Sequence, residues 1–254
     1  MVVRPRSGDG PVGRLRKLTM SIAIRAVFFD SGNTLVYPRF EELVEDLAQQ
    51  GYPARVEDFF AAERVAKQRL DEWLWPQIRR GQLPRTIDLR YWTEYLSALV
   101  ARVRVPEPER PAMMHRLGDR FGDITLWSCV FPDTPPFLEK LRTRGYWLGV
   151  ISNSVGTMEQ QLERLDLARY FQTVIDSALV GVEKPHPEIF RIALGCVPEA
   201  IAPSQAIFVG DTNATDMGGA QLAGMRGVLI DRLGAYPHAE SPRITSLPEL
   251  ERYL

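Results

Sequence analysis

Residues 22–33 read IAIRAVFFDSGN, a run of small, β-branched and aromatic side chains that stops abruptly at Asp30-Ser31-Gly32-Asn33. An apolar run of that length cut off by turn formers is the pattern of a buried parallel strand emptying into a loop. The next runs of the same kind lie far downstream, at residues 147–151, 171–175, 206–209 and 227–230. Helix-length segments at 136–144, 157–167, 187–194 and 217–222 separate them, and alternation of strand and helix predicts an α/β fold with a Rossmann-like parallel sheet.

The stretch between the first two strands is different in kind. Residues 38–128 carry no strand pattern, while Leu89, Trp92, Leu96, Leu99 and Val103 recur at helical spacing, as do Phe59, Ala62, Ala66, Leu70 and Trp73. Those stripes predict bundle core, with further helices over 40–47 and 113–121. The expected organisation is therefore a basic disordered arm over 1–19, an α/β core over 20–37 and 129–254, and an inserted all-helical cap domain over 38–128.

The 254 residues are 45% hydrophobic and 25% charged, with a net charge of -1. Such a chain can bury a core, and it has no global field that would draw nucleic acid or an anionic membrane. No apolar run approaches the 18 residues or more of a membrane span, and Cys129 and Cys196 are too few for a disulfide scaffold, so a cytoplasmic protein is expected. His115, His186 and His238 lack the spacing of a zinc site.

In an open α/β sheet ligands bind beyond the carboxyl ends of the strands, so the polar residues just after each run carry the information. They are Asp30, Ser152 with Asn153, Lys184 in GVEKPHPEIF, and Asp211 with Asp216 in FVGDTNATD. Each alone has an ordinary explanation: a turn former, a helix cap, a solvated lysine. Together they place carboxylates, a hydroxyl and an ammonium along one edge. That set suits phosphoryl chemistry, because a carboxylate attacks a phosphate dianion only where a hard cation and an ammonium offset the repulsion.

On these residues the sequence resembles the haloacid dehalogenase (HAD) superfamily, in the branch with a helical cap inserted after the first motif. FFDSGNTL, VISNS, EKPHPEIF and VGDTNATDMGGAQLAGM match its four motifs in order over about residues 22–235. The resemblance implies a nucleophile at Asp30, phosphate binding at Ser152, Asn153 and Lys184, and Mg²⁺ held by Asp30, the Gly32 carbonyl, Asp211 and Asp216. It implies a Mg²⁺-dependent phosphatase acting on a small phosphorylated metabolite. The family phosphatases usually read D-x-D-G-T, however, and here Gly32 stands where the second aspartate supplies the proton. Loss of a general acid typically costs about 10² to 10⁴ in rate, so slow turnover, or a protein that binds metal and phosphate without turnover, is an open alternative. A phosphonate hydrolase is a further one. It would need a cap lysine as a Schiff base, and Lys67, the only candidate, is expected on a solvated helix face.

Overall fold

The computed structural model describes residues 23–84 and 87–254, with the backbone alone at 87 and 88; the basic arm expected over 1–19 lies outside them. Strand β1 (Ala26–Phe29) is followed by β2 (Val36–Tyr37), four helices, α1 (Phe40–Gln49), α2 (Val56–Arg79), α3 (Ile87–Arg102) and α4 (Arg110–Gly122), and then β3 (Cys129–Val130). From there the chain runs α5 (Thr134–Thr143), β4 (Trp147–Ser152), α6 (Met158–Arg164), β5 (Thr173–Asp176), α7 (Ser177–Val180), α8 (Pro187–Gly195), β6 (Ala206–Gly210), α9 (Gly218–Ala223), β7 (Arg226–Ile230) and β8 (Arg243–Ile244).

Six strands form one parallel sheet in the order β5-β4-β1-β6-β7-β8. Strand β1 pairs with β4 on one side and β6 on the other, and both of its faces are covered. Val27 and Phe29 pack with Leu148, Val150, Ile207 and Val209 under α5 and α6, whereas Ala26 and Phe28 pack with Phe208 under α8 and α9. Phe28 and Phe29 are fully buried on opposite faces, and each contributes roughly 2–3 kcal/mol, so this strand is pinned from both sides. The chain leaves β1 toward β4 and β5 and crosses later to β6. That switch in direction opens a crevice at the carboxyl end of β1, the place where such sheets bind ligands.

All five expected sheet strands are present. β8, and the two-stranded antiparallel ribbon of β2 and β3, escaped the sequence reading, because elements of two residues leave no periodicity. The ribbon pairs the two points where the chain leaves and rejoins the sheet layer.

Helices α1 to α4 share a core of their own, in which Phe59, Ala62 and Ala66 of α2 meet Leu96 and Leu99 of α3, Val103 just beyond its end, and Met113, Leu117 and Phe121 of α4. The far half of α2 packs instead on the sheet layer: Leu70, Leu74 and Ile78 surround Ala214. Leu89 departs from the expected bundle core, for it is 69% exposed and borders the cleft described below.

Candidate active site

The site is built on the loop that ends β1. Asp30 N–H donates to the Val209 carbonyl at 2.8 Å, prolonging the sheet by one residue, and the chain then reverses so that Leu35 N–H reaches the Ser31 carbonyl at 2.8 Å. The reversal needs a left-handed residue, and Asn33 has φ of 53°, a region asparagine tolerates better than most residues. Asp30 is thereby fixed at the sheet edge beside the ends of β4 and β6.

Lys184 reaches the same point from the loop before α8. Its Nζ lies 2.7 Å from Asp30 Oδ1 and 2.7 Å from Asp216 Oδ1, and 5.2 Å from the centre of the Phe208 ring. Asn153 fixes the approach: its Oδ1 accepts from Lys184 N–H at 2.8 Å and its Nδ2 donates to the Lys184 carbonyl at 3.2 Å. The side chain expected to bind phosphate is thus engaged in positioning the lysine, although Asn153 still borders the cleft. Ser152, buried at the end of β4, also borders the cleft. It does not cap the next helix, since Thr157 occupies that position.

Asp216 sits in a single π-helical turn, Asn213–Met217, between β6 and α9. Its Oδ2 accepts from Thr212 N–H at 2.9 Å and Thr212 Oγ1 at 2.7 Å. A β-carbon on Gly210 would come within 2.4 Å of that oxygen, so only glycine at position 210 lets the carboxylate fold back over the strand end.

Lys67 corrects the sequence reading. It is buried, not solvated, and its Nζ lies 2.7 Å from Asp211 Oδ2 and 2.8 Å from Glu63 Oε1. Helix α2 runs from its own bundle onto the site, and every fourth residue of one face makes a contact there. Glu63 accepts from Asn33 Nδ2 at 2.8 Å, Lys67 holds Asp211, and Asp71 accepts from Asn213 Nδ2 at 2.7 Å and Ala214 N–H at 2.9 Å. Glu63 and Asp71 were not anticipated. Their only signal was the recurrence at i, i+4 and i+8, which the sequence shares with any solvated helix face.

Burial sets the electrostatics. It pushes Asp30 up to about 7, helped by Asp216 and Asp211 and opposed by Lys184, and pushes Asp211 up to about 6 against the pull of Lys67. Burial also disfavours the Lys184 ammonium, but Asp216 and Asp30 outweigh it and raise its pKa. The same contest at Lys67 is decided by Asp211 and Glu63, again upward. Both lysines are therefore held as cations. Lys67 is not among the residues that border the cleft, so it lacks both the neutral amine and the access that a Schiff base requires.

Asp30, Asp211 and Asp216 each offer a carboxylate oxygen within 4.8 Å of the others. With Glu63 the carboxylates of the cluster outnumber its ammonium groups by two, an imbalance one divalent cation would remove. The buried hydroxyls of Ser31 and Thr215, also at the cleft floor, have no partner among the described residues. Hard oxygen donors and this charge balance fit an ion such as Mg²⁺.

Above the carboxylates opens a cleft of about 610 Å³. Its floor is the loop set just described, and its walls are Trp92, Leu96, Met114, Phe121, Ile124 and Trp127 from the helical insert, with Val155 and Met158 from the sheet layer. Trp127 bears on the missing aspartate. A β-carbon at Gly32 would lie 3.1 Å from Trp127 Cζ3, and the indole is anchored by a 2.9 Å bond from its Nε1 to the Phe121 carbonyl. An aromatic ring thus stands against the place where the family's second aspartate would project.

Residues 24–224 match the haloacid dehalogenase-like hydrolase family, and the chain belongs to it. A phosphoserine phosphatase of Thermus thermophilus is 30% identical over 228 residues, covering 82% of this chain and 89% of that protein. A glyceraldehyde 3-phosphate phosphatase of Methanopyrus kandleri is 30% identical over 234 residues, covering 90% and 92%. Among solved structures, a magnesium-bound HAD-hydrolase of Bacillus subtilis superposes with a TM-score of 0.61 at 18% identity over 91% of this chain and 99% of the other, a likeness of fold alone. A dehalogenase with an intermediate complex superposes at 0.58 with 26% identity, over 91% and 97%. The fold is the α/β Rossmann-like fold of that family, and the named relatives place the chain among its phosphatase-like hydrolases.

Proposed function

We propose that this chain is a Mg²⁺-dependent phosphatase that hydrolyses a small phosphate monoester through an aspartyl-phosphate at Asp30. The observation that carries the reading is the placement of Asp30 at the cleft floor, inside a cluster of three carboxylates and 2.7 Å from the Lys184 ammonium. The two phosphatase relatives support the same chemistry.

The ester enters with its phosphate on the floor. Lys184 holds Asp30 through Oδ1, which presents Oδ2 for attack on phosphorus. As the O–P bond to Asp30 forms, the ester P–O bond breaks, and its electron pair leaves with the alcohol oxygen, which takes a proton from water because Gly32 has none to give. Water then cleaves the aspartyl-phosphate and releases inorganic phosphate. Ser152 and the Lys184 ammonium bind the non-bridging oxygens, where charge grows in the transition state. Asp30, the Gly32 carbonyl, Asp211 and Asp216 would hold the Mg²⁺, which supplies neutralisation of the phosphate dianion as a Lewis acid.

The test is hydrolysis of an aryl phosphate by the full chain, with Mg²⁺ and with a chelator, beside Asp30→Asn. Turnover that the chelator abolishes, and that falls at least ~10⁴-fold in Asp30→Asn, is the expected result. Activity unaffected by Asp30→Asn overturns the nucleophile. Mg²⁺ and orthovanadate binding without any turnover would instead favour a protein that binds and does not hydrolyse.

A further inference from the structure

We infer that the natural substrate is an aryl phosphate monoester, with a phenolic leaving oxygen on an uncharged, flat apolar body. The inference rests on the phosphatase reading above and goes beyond it by naming the leaving group. Three separate observations lead to it.

The first is the chemistry of the walls. Above the floor the cleft is bordered by Trp92, Phe121 and Trp127, whose rings contact one another with centroids 5.1 to 6.5 Å apart, and by Met114, Ile124 and Val155. Phosphoserine, or a sugar phosphate with a carboxylate, would need a fixed cation on that wall to pair with its second charge. None of the described arginines borders the cleft. Among the described residues, the one titratable wall group other than Tyr91 is His115, whose side chain is 79% exposed and already 3.0 Å from Asp119. Aromatic walls without charge take an apolar body, and an aromatic one most readily, by offset stacking.

The second is room. Gly118 and Gly122 lie one turn apart on α4 and both border the cleft. A β-carbon at Gly122 would meet nothing within 4 Å, and one at Gly118 only Leu96 at 3.7 Å. Glycine inside a helix is destabilising by roughly 0.5–1 kcal/mol relative to alanine, and nothing in the local packing requires it at Gly118, while Gly122 is the last residue of α4. The pair flattens the helix where it faces the cleft and leaves a slot beside the ring cluster. At the mouth, Leu89 and Val155 are 69% and 73% exposed, apolar surface that an apolar ligand would cover.

The third is the proton. With Gly32 in place of a carboxyl and Trp127 Cζ3 only 3.1 Å from where its β-carbon would stand, the leaving oxygen departs without a donor from that position. A phenol, with a pKa near about 10, tolerates this far better than a hydroxyl at roughly 16. The same ring that crowds out the acid forms part of the wall that would hold the aryl group, so one substitution pattern serves both needs.

The test uses the full chain with Mg²⁺ and three esters: 1-naphthyl phosphate, O-phosphoserine and glyceraldehyde 3-phosphate. Binding is followed separately through tryptophan fluorescence with 1-naphthylmethylphosphonate, which cannot be hydrolysed. The expected results are a kcat/KM for naphthyl phosphate at least ~100-fold above either aliphatic ester, and saturable quenching by the phosphonate. Gly122→Leu, whose β-carbon would meet no atom within 4 Å, is expected to raise the naphthyl phosphate KM about tenfold while the inhibition constant of inorganic phosphate stays put. An aliphatic ester turned over as well as the naphthyl one, or a KM indifferent to Gly122→Leu, overturns the inference and leaves the phosphatase reading intact. Quenching that Gly122→Leu weakens, with no ester hydrolysed, supports the aryl pocket and sinks the phosphatase reading instead.

Discussion

Two lysines meet the same acidic cluster from opposite sides, and the difference between them separates the sheet from the helical insert. Lys184 comes from the sheet layer, is oriented by Asn153, and bridges Asp30 and Asp216 at 2.7 Å each. Lys67 comes from the middle of α2 and bridges Glu63 and Asp211 at 2.8 and 2.7 Å. Both are buried and both are cations. The sheet lysine touches the proposed nucleophile, though, whereas the helix lysine holds only a proposed metal ligand. Removing each in turn is the sharpest way to break the comparison. In Lys184→Met the buried carboxylates lose their partner, with an expected stability loss of about 3–5 kcal/mol and a fall in kcat of about 10²–10³. Lys67→Met should lose stability on the same scale while its Mg²⁺ affinity, read by calorimetry, tightens at least ~10-fold, because a competing positive charge is gone from Asp211. If Mg²⁺ binds no tighter to the variant, Lys67 does not compete with the ion and the two lysines are equivalent structural counter-ions.

The next comparison lies between Gly32 and the wall above it. Gly32→Asp alone restores the family's aspartate but drives its β-carbon toward Trp127 at 3.1 Å, and overpacking of this kind costs typically 1–3 kcal/mol. The single variant should therefore melt lower and gain little turnover. Gly32→Asp combined with Trp127→Ala has the space, and against Trp127→Ala alone it should gain about 10- to 100-fold in kcat on an alkyl phosphate, within the usual range for an added general acid. A gain of that size in Gly32→Asp by itself would show that the indole yields, and that the missing acid was never excluded by packing.

The contrast also explains what could be read from sequence. A residue immediately after a parallel strand has its position fixed by the strand, so Asp30, Ser152 and Asp211 could be placed at one edge from the apolar runs alone, and the structure brings them to one cleft. A polar residue in mid-helix has no such constraint. Glu63, Lys67 and Asp71 follow the spacing of a solvated face, and only the docking of α2 onto Ala214 and Asn213 turns that face inward. Asn153 was placed at the cleft, and nothing local in the sequence reveals that its amide also pairs with the Lys184 backbone. Trp127 was invisible for the opposite reason: it falls outside every periodic element, and its role depends on a glycine nearly a hundred residues away. Leu89 kept the rhythm of its helix but lies past the edge of the bundle, at the cleft mouth.

The smallest expected effect tests how α2 is fastened to the sheet layer. Asp71 accepts two hydrogen bonds from the π-helical turn, yet burial outweighs them and pushes it up to about 6 from the ordinary 3.8. Between those values the folded chain retains a proton that the unfolded chain has lost. Stability therefore declines as pH rises through the interval. The full shift corresponds to about 3 kcal/mol, and with the carboxyl half-buried we expect ~1–2 kcal/mol after solvent screening. Asp71→Asn keeps the shape of the protonated side chain and cannot ionise. Denaturant melts of the two proteins should thus give the wild type its greatest relative stability near pH 4, with its standing against the variant worsening by ~1–2 kcal/mol by pH 7. A gap that stays flat across this range would mean that Asp71 ionises in the fold as easily as in the open chain. The two bonds to Asn213 and Ala214 would then offset the cost of burial in full, and the fastening of α2 to the turn would not vary with pH across this range.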